Sequence, residues 1–274
     1  RESGALKAEA ESLRTLRSAT MAAGLIRVPR VLSYGETSHH GHFLLLEHLP
    51  LRPIAEADAA AVRLLGEGVA SLHLAPQPPG QVPAWMGPAF GFSVDTHLGG
   101  CPQRNAWARY FHDFFCDNRL RPDLEQAEAH LLAVCGEDSE EIHELRGLSE
   151  SLLARAAELL APLVEPPALL HGNLISASCA TALGSGNGPA LVDPACWYGL
   201  PEVDLATLRL AGGLGEHTSA FFEGYDAVRP RGPGSDERTG LFVAHQRVRS
   251  LTSFPEATVR SGWSRVSRAI RKVL

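Results

Sequence analysis

Lysine is almost missing from this chain: only Lys7 and Lys272 occur in 274 residues. Arginine supplies nearly all the positive charge, and 31 acidic residues outweigh 25 basic ones for a net charge of −6. That balance argues against a nucleic-acid partner, since phosphate binding rests on a basic surface. No apolar run reaches the roughly 20 residues of a membrane span, and no signal peptide opens the sequence. No membrane partner is therefore expected. Five cysteines, Cys101, Cys116, Cys135, Cys179 and Cys196, form no CxxC pair, so neither a zinc site nor a disulfide framework is indicated. Scattered thiols fit a reducing compartment. The cytoplasm is expected, or a plastid or other organelle where a targeting peptide precedes Arg1.

What is present is a sequence rich enough in apolar residues, 45 %, to build a sizeable core. Residues 4–18 read as a helix, with Leu6, Ala10, Leu13 and Leu16 on one face. At 100° per residue Glu9 falls inside that apolar arc. A carboxylate there needs a partner or costs several kcal/mol. Lys7 lies two positions away and points elsewhere, so an orphan carboxylate with a raised pKa is the expectation. Residues 26–34, broken by Pro29, and 42–49 read as strands joined by a hairpin loop. His39 and His40 in that loop lack a third ligand at metal-binding spacing.

From residue 59 a helix carries Leu65, Val69 and Leu72 as its stripe. A Pro/Gly-rich loop spans residues 76–100. Trp107, Tyr110, Phe111, Phe114 and Phe115 then mark an aromatic core helix. Further helices are expected over 149–163, 203–212, 217–228, 238–252 and 257–274. The last shows Val259, Trp263, Val266, Ile270 and Val273 on one face, a face for packing or for docking on a membrane or partner; packing is the expectation. The glycine cluster at 184–188 reads as a hairpin turn, because no helix follows to make it a phosphate loop. The order suits an α+β fold: a small sheet-containing lobe over residues 1–49 and a mostly helical lobe over 50–274.

Two apolar runs end in polar residues: Ala168–Leu174 in His171-Gly172-Asn173, and Ala190–Asp193 in Asp193-Pro194. A hairpin joining the runs would bring those ends together. Phosphoryl transfer needs such a grouping, with one residue to orient or deprotonate a hydroxyl and oxygen donors to hold Mg²⁺ against ATP phosphates.

In sequence the chain resembles the fructosamine (ketosamine, ribulosamine) 3-kinase family. The stretches that carry the resemblance are His171-Gly172-Asn173-Leu174-Ile175-Ser176-Ala177-Ser178, Asp193-Pro194-Ala195-Cys196-Trp197-Tyr198-Gly199 and Glu202-Val203-Asp204-Leu205-Ala206. Phe90-Gly91-Phe92, Pro102-Gln103-Arg104-Asn105-Ala106-Trp107, Leu72-His73 and Phe221-Phe222-Glu223-Gly224-Tyr225 agree as well. The resemblance implies a protein-kinase-like two-lobed fold related to the aminoglycoside phosphotransferases. It also implies ATP and Mg as cofactors and phosphorylation of the 3-hydroxyl of a ketosamine, a glycated protein or small adduct, in protein deglycation.

Carried over by position, Asp193 is a metal ligand, Glu47, His48 and Leu49 form the hinge that meets adenine, and Glu9 is the helix carboxylate of the ATP site. Gln103 and Asn105 either contact substrate or hold their loop. His171 supports the loop, and Asp204 is a cap or loop anchor. The chain departs from the family pattern at Asn173, which stands where the catalytic Asp belongs, and at Ser178, which stands where a metal-binding Asn belongs. Only eight residues precede Glu9, so a truncated N-lobe without the Gly-rich loop and the ATP lysine is expected. Two readings follow: a ketosamine 3-kinase with a degraded site, or an inactive pseudokinase that binds or regulates. Phosphorylation of another small hydroxylated amine is a third.

Overall fold

The computed structural model describes residues 3–21, 24–37, 41–98, 101–184 and 188–274; His39, His40 and the centre of the 184–188 turn lie outside them. The chain forms two compact units, each assembled from two stretches of sequence. Residues 1–107 with 166–232 make the first, and residues 108–165 with 233–274 make the second.

In the first unit, α1 (Ser3–Met21) is longer than its apolar stripe implies and buries Ala10, Leu13 and Leu16. β1 (Val31–Glu36) and β2 (His42–Leu46) form the expected antiparallel pair. The first strand starts later than its sequence suggests. Residues before Pro29 join a different sheet: Arg27 N–H donates to Pro189 O at 2.8 Å, and Leu191 N–H donates to Arg27 O at 2.9 Å. β3 (Leu51–Pro53) follows β2 closely. α2 (Ala59–Leu74) starts at Asp58, whose Oδ1 accepts from Ala61 N–H at 2.8 Å, and buries Val62, Leu65, Val69 and Leu72. β4 (Thr96–Leu98) and β5 (Cys101–Gln103) pair antiparallel at the end of the proline-rich insert.

The two apolar runs near the candidate chemistry do not pair with each other, which corrects the hairpin expected from sequence. β6 (Ala168–Leu170) pairs with β9 (Trp197–Gly199). The hairpin consists instead of β7 (Cys179–Ala182) and β8 (Gly188–Leu191), with β3 on the other edge of β7. The run ending in Asn173 is thus a strand followed by a loop, and that loop leads into the hairpin.

After α6 (Glu202–Leu210), α7 (Thr218–Val228) returns against α2. Glycines set that crossing: a Cβ on Gly66 would stand 2.0 Å from Phe221 O, and one on Gly224 would stand 2.2 Å from Arg63 O. The two backbones meet where no side chain fits.

In the second unit, the aromatic helix is shorter than expected. α3 covers only Phe111–Phe115, continues through a π turn at Cys116–Leu120, and runs into α4 (Arg121–Cys135). Tyr110 is extended and exposed at the helix start; Trp107 belongs to the first unit and stacks there on Tyr198, centroids 6.2 Å apart. α5 (Glu140–Leu160) begins nine residues before the expected 149, capped by Ser139. α8 (Ser235–Ser250) and α9 (Val259–Arg271) complete the unit. Val259, Trp263, Val266 and Ile270 of α9 are buried, and Glu144 of α5 accepts from Trp263 Nε1 and Arg271 Nη2, both at 2.7 Å. Its apolar face is therefore spent on packing. Among the described residues, no helix is long and apolar enough to cross a membrane.

Candidate active site

The loop after β6 is held from beneath by one carboxylate. Asp204, buried at the start of α6, accepts from His171 N–H (Oδ2, 2.7 Å) and Gly172 N–H (Oδ1, 3.0 Å). The ring of His73, at the end of α2, reaches the same Oδ2 through Nε2 at 3.3 Å, and its Nδ1 meets the Tyr225 hydroxyl at 2.9 Å. Gly172 takes φ +76°, and a Cβ there would stand 2.0 Å from Ala195 O. Only glycine fits, by conformation and by space.

His171 carries the second brace. Its Nε2 lies 3.1 Å from Val192 O, which can only accept, so Nε2 bears the proton. Nδ1 then accepts from Asn173 N–H at 3.3 Å. Burial holds this imidazole below its ordinary pKa, against the raising influence of Asp204, which favours the neutral ring, while the two hydrogen bonds set the tautomer.

On this base Asn173, Ser178 and Asp193 come together. Asn173 Nδ2 donates to Asp193 Oδ2 and to Asp193 O, both at 3.0 Å. Both partners are acceptors, which fixes the amide nitrogen on that side. Asp193 has φ +53°, an uncommon conformation for a residue with a side chain, and its carboxylate is exposed. Ser178 is buried, and its hydroxyl donates to Asn173 O at 2.7 Å. It acts here as a brace, so service as a metal ligand would require giving up that bond.

The remaining expected site residues differ in setting. Glu9 is half-buried and engaged, which corrects the orphan-carboxylate expectation. Its helix touches the Asp193 segment, because Ser12 Oγ accepts from Cys196 N–H at 3.1 Å. Glu47, just after β2, is tied to the residue before β1: its Oε2 accepts from Arg30 N–H at 3.1 Å, with Arg17 Nη1 at 3.7 Å. His48 is exposed and Leu49 half-buried. They lead into β3, which is tied to the hairpin by Leu183 N–H donating to Pro50 O at 2.9 Å. Gln103 is buried on β5. Asn105 Nδ2 is committed to its own loop, donating to Val94 O at 2.9 Å and Thr96 Oγ1 at 3.0 Å.

Sequence reasoning assigns no role to Ser12, His73 or Tyr225. His73 and Tyr225 lie inside family-like stretches, but neither position signals that it reaches toward Asp204.

The family model described as fructosamine kinase matches residues 2–271. The chain belongs to the fructosamine kinase family. It is 34% identical over 218 residues to the Klebsiella aerogenes "Probable ketoamine kinase", covering 79% of this chain and 65% of that protein. It is 28% identical over 240 residues to the Mus musculus ketosamine-3-kinase, covering 82% and 72%. The chain thus spans about two thirds of the length of the first of these relatives. Among solved structures, the Thermobifida fusca "putative fructosamine-3-kinase" superposes with a TM-score of 0.75 at 25% identity, over 99% of this chain and 81% of that one. The aminoglycoside phosphotransferase APH(4)-Ia, in ternary complex with AMP-PNP and hygromycin B, superposes with a TM-score of 0.59 at 14% identity, over 96% and 81%. The fold of this fructosamine kinase family member is kinase-like and α+β.

Proposed function

We propose that this family member is an ATP-dependent ketosamine 3-kinase whose site, lacking the usual base, turns over slowly. The observation that carries the reading is the meeting of Asn173 with Asp193 on a loop clamped by Asp204. Asp193 offers an exposed carboxylate on a fixed backbone beside the loop residue that faces the reacting hydroxyl.

The fold family implies Mg²⁺, and the donor set suits it: a hard oxygen ligand in Asp193, with other positions left to phosphates and water. Bound there, the ion would neutralise phosphate charge. Asn173 keeps Asp193 oriented through its amide and would place a hydroxyl by hydrogen bonding. An amide cannot take up the proton. Losing a general base costs about 10²–10⁴-fold, equivalent to about 3–5.5 kcal/mol of barrier. Positioning and charge neutralisation remain, and they carry most of phosphoryl transfer. Glu47–Leu49 would line the adenine side, and Glu9 would join the phosphate side. Gln103 would face substrate, with Asn105 shaping its loop. The substrate is a ketosamine, either a small adduct or a glycated protein.

One observation favours the second reading, an inactive binding protein: Asn173 turns its donor, not its acceptor, onto the metal-ligand candidate. ATP-dependent phosphorylation of fructosyl-lysine by the whole protein decides. Slow turnover abolished by Asp193→Ala supports the kinase. ATP binding without any turnover supports the binding protein. Turnover of about 1–100 s⁻¹, the ordinary kinase range, would show that Asn173 is no handicap.

A further inference from the structure

The Asp204 clamp is itself held, and the hydrogen bonds that hold it run one way. A carboxylate only accepts, so His73 Nε2, 3.3 Å from Asp204 Oδ2, is the nitrogen that carries the ring proton. Nδ1 is then a lone pair, and the Tyr225 hydroxyl 2.9 Å away donates to it. Burial raises the pKa of this phenol, so it keeps the proton it offers. The order of donation is Tyr225 to His73 to Asp204, and Asp204 accepts from the His171 and Gly172 amides as well.

All three side chains are buried. Tyr225 stacks on Phe221, centroids 6.2 Å apart, and meets the His73 ring edge-on at 5.7 Å. A phenylalanine would make the same ring contacts. The hydroxyl adds the bond to Nδ1, which keeps the imidazole turned toward Asp204. A ring with nothing at Nδ1 would leave a buried acceptor unpaired. Arg229, one turn beyond Tyr225, gives an N–H to the His73 carbonyl at 3.5 Å. His73 is thus met from the α7 segment at both its ring and its backbone.

We propose that Tyr225 is a positioning residue for the loop that carries Asn173. Its hydroxyl, acting through the His73 ring, holds the Asp204 carboxylate where it fixes the His171 and Gly172 amides, and so sets where Asn173 meets Asp193. The catalytic consequence rests on the kinase reading above; the geometric one does not.

The test uses the whole protein and compares Tyr225→Phe, His73→Gln and the double variant. Tyr225→Phe deletes one oxygen and keeps the ring. His73→Gln offers Asp204 an N–H without the ring nitrogen that Tyr225 meets. In the parent, nitrogen NMR should show His73 with its proton on Nε2, protected from exchange. Tyr225→Phe should lose that protection, and the Gly172 amide should exchange about tenfold faster, the effect of one ordinary hydrogen bond, while the amides pairing β7 with β8 keep their rates. Adding Tyr225→Phe to His73→Gln should change nothing further, because the route through the ring is already gone. Where the parent phosphorylates fructosyl-lysine, kcat should fall about tenfold or more in Tyr225→Phe, again only where His73 is present. A parent without turnover would overturn the kinase reading alone, and the exchange rates then decide the positioning role. A proton on His73 Nδ1 in the parent, an unchanged Gly172 rate in Tyr225→Phe, or the same acceleration with and without His73 would overturn the proposal.

Discussion

The amide nitrogen of Asn173 sits 3.0 Å from both the carboxylate and the backbone carbonyl of Asp193. A carboxylate at position 173 would face two acceptors with no proton between them. Like charges at that spacing disfavour one another's ionised form; the setting is half-exposed, so screening reduces the cost to about 1 kcal/mol. We expect Asn173→Asp to melt about 2–4 °C lower than the parent in EDTA, using about 2–4 °C per kcal/mol for a chain of this size. Millimolar magnesium should recover most of that loss. Asn173→Ala should lose stability without any recovery by magnesium. An Asn173→Asp protein that melts with the parent in EDTA would refute the argument.

Gly172 allows a sharper expectation. Alanine there must occupy positive φ and drive its Cβ into Ala195 O. The loop cannot move aside without breaking the Asp204 bonds. Gly172→Ala should cost at least about 3 kcal/mol, in the range of overpacking combined with backbone strain. Urea denaturation reads this directly, and a loss below about 1 kcal/mol would show that the loop yields.

Asp204 is fully buried and serves three donors. Asparagine in its place puts an N–H₂ against at least one of them and removes the charge that favours the rest. A loss of about 3 kcal/mol or more is expected from breaking a buried charge-assisted cluster. Amide exchange at His171 and Gly172 should rise far more than exchange in α2. Uniform faster exchange throughout the first unit would instead mean general loosening.

The second unit has its own pH signature. Burial by itself would raise the Asp123 carboxyl; the hydrogen bond and charge of His245, 2.7 Å away, with Arg249 and Arg119, outweigh it and hold the group below the ordinary carboxylate range. A carboxyl whose pKa is lower folded than unfolded stabilises the fold above its unfolded pKa of about 3.9, and loses that contribution as pH falls through the folded value. The stability gap between parent and Asp123→Asn should be full at pH 7 and close progressively below about pH 4. Urea midpoints across that range test it, and a gap that persists unchanged to pH 2 would contradict it.

The cysteines divide by accessibility. Burial pushes Cys116 up to about 11 and Cys179 up to about 12, and raises Cys196 further still. Cys101 is exposed and Cys135 half-buried. Ellman's reagent at pH 8 should find these two promptly and the other three only on unfolding, since thiolate is the reacting form. Prompt reaction of Cys179 or Cys196 would mean that the hairpin or the Asp193 segment opens readily.

Much of the local structure is legible in the sequence because apolar spacing reports burial directly. The α1 stripe and the α2 stripe are read from it, and so is the strand-loop-strand of β1 and β2. The nearness of Asn173 and Asp193 also follows from two apolar runs with polar ends. The pairing behind it does not, because β6 and β9 are three-residue strands with no alternation to read. α4 is hidden because few apolar residues mark its buried face. Trp107 looks helical by spacing, yet it lies outside α3 and stacks on Tyr198, a partner 91 positions away that composition cannot announce. The roles of Ser12, His73 and Tyr225 are long-range by nature: each becomes visible only when a distant segment is placed beside it.

The clamp on the candidate loop has a consequence for synthesis. Its parts emerge from the ribosome in a fixed order, His73 first, His171 and Gly172 next, Asp204 after them and Tyr225 last. Until α6 has left the exit tunnel, the loop that holds Asn173 has nothing to tie its two amides to. A nascent chain ending at residue 200 can already contain Asn173, Ser178 and Asp193, yet lack the anchor that sets their spacing. Segments of a domain can begin to order in the sequence of their synthesis, but here the residues nearest the proposed chemistry must wait for a later helix before they take up their working geometry.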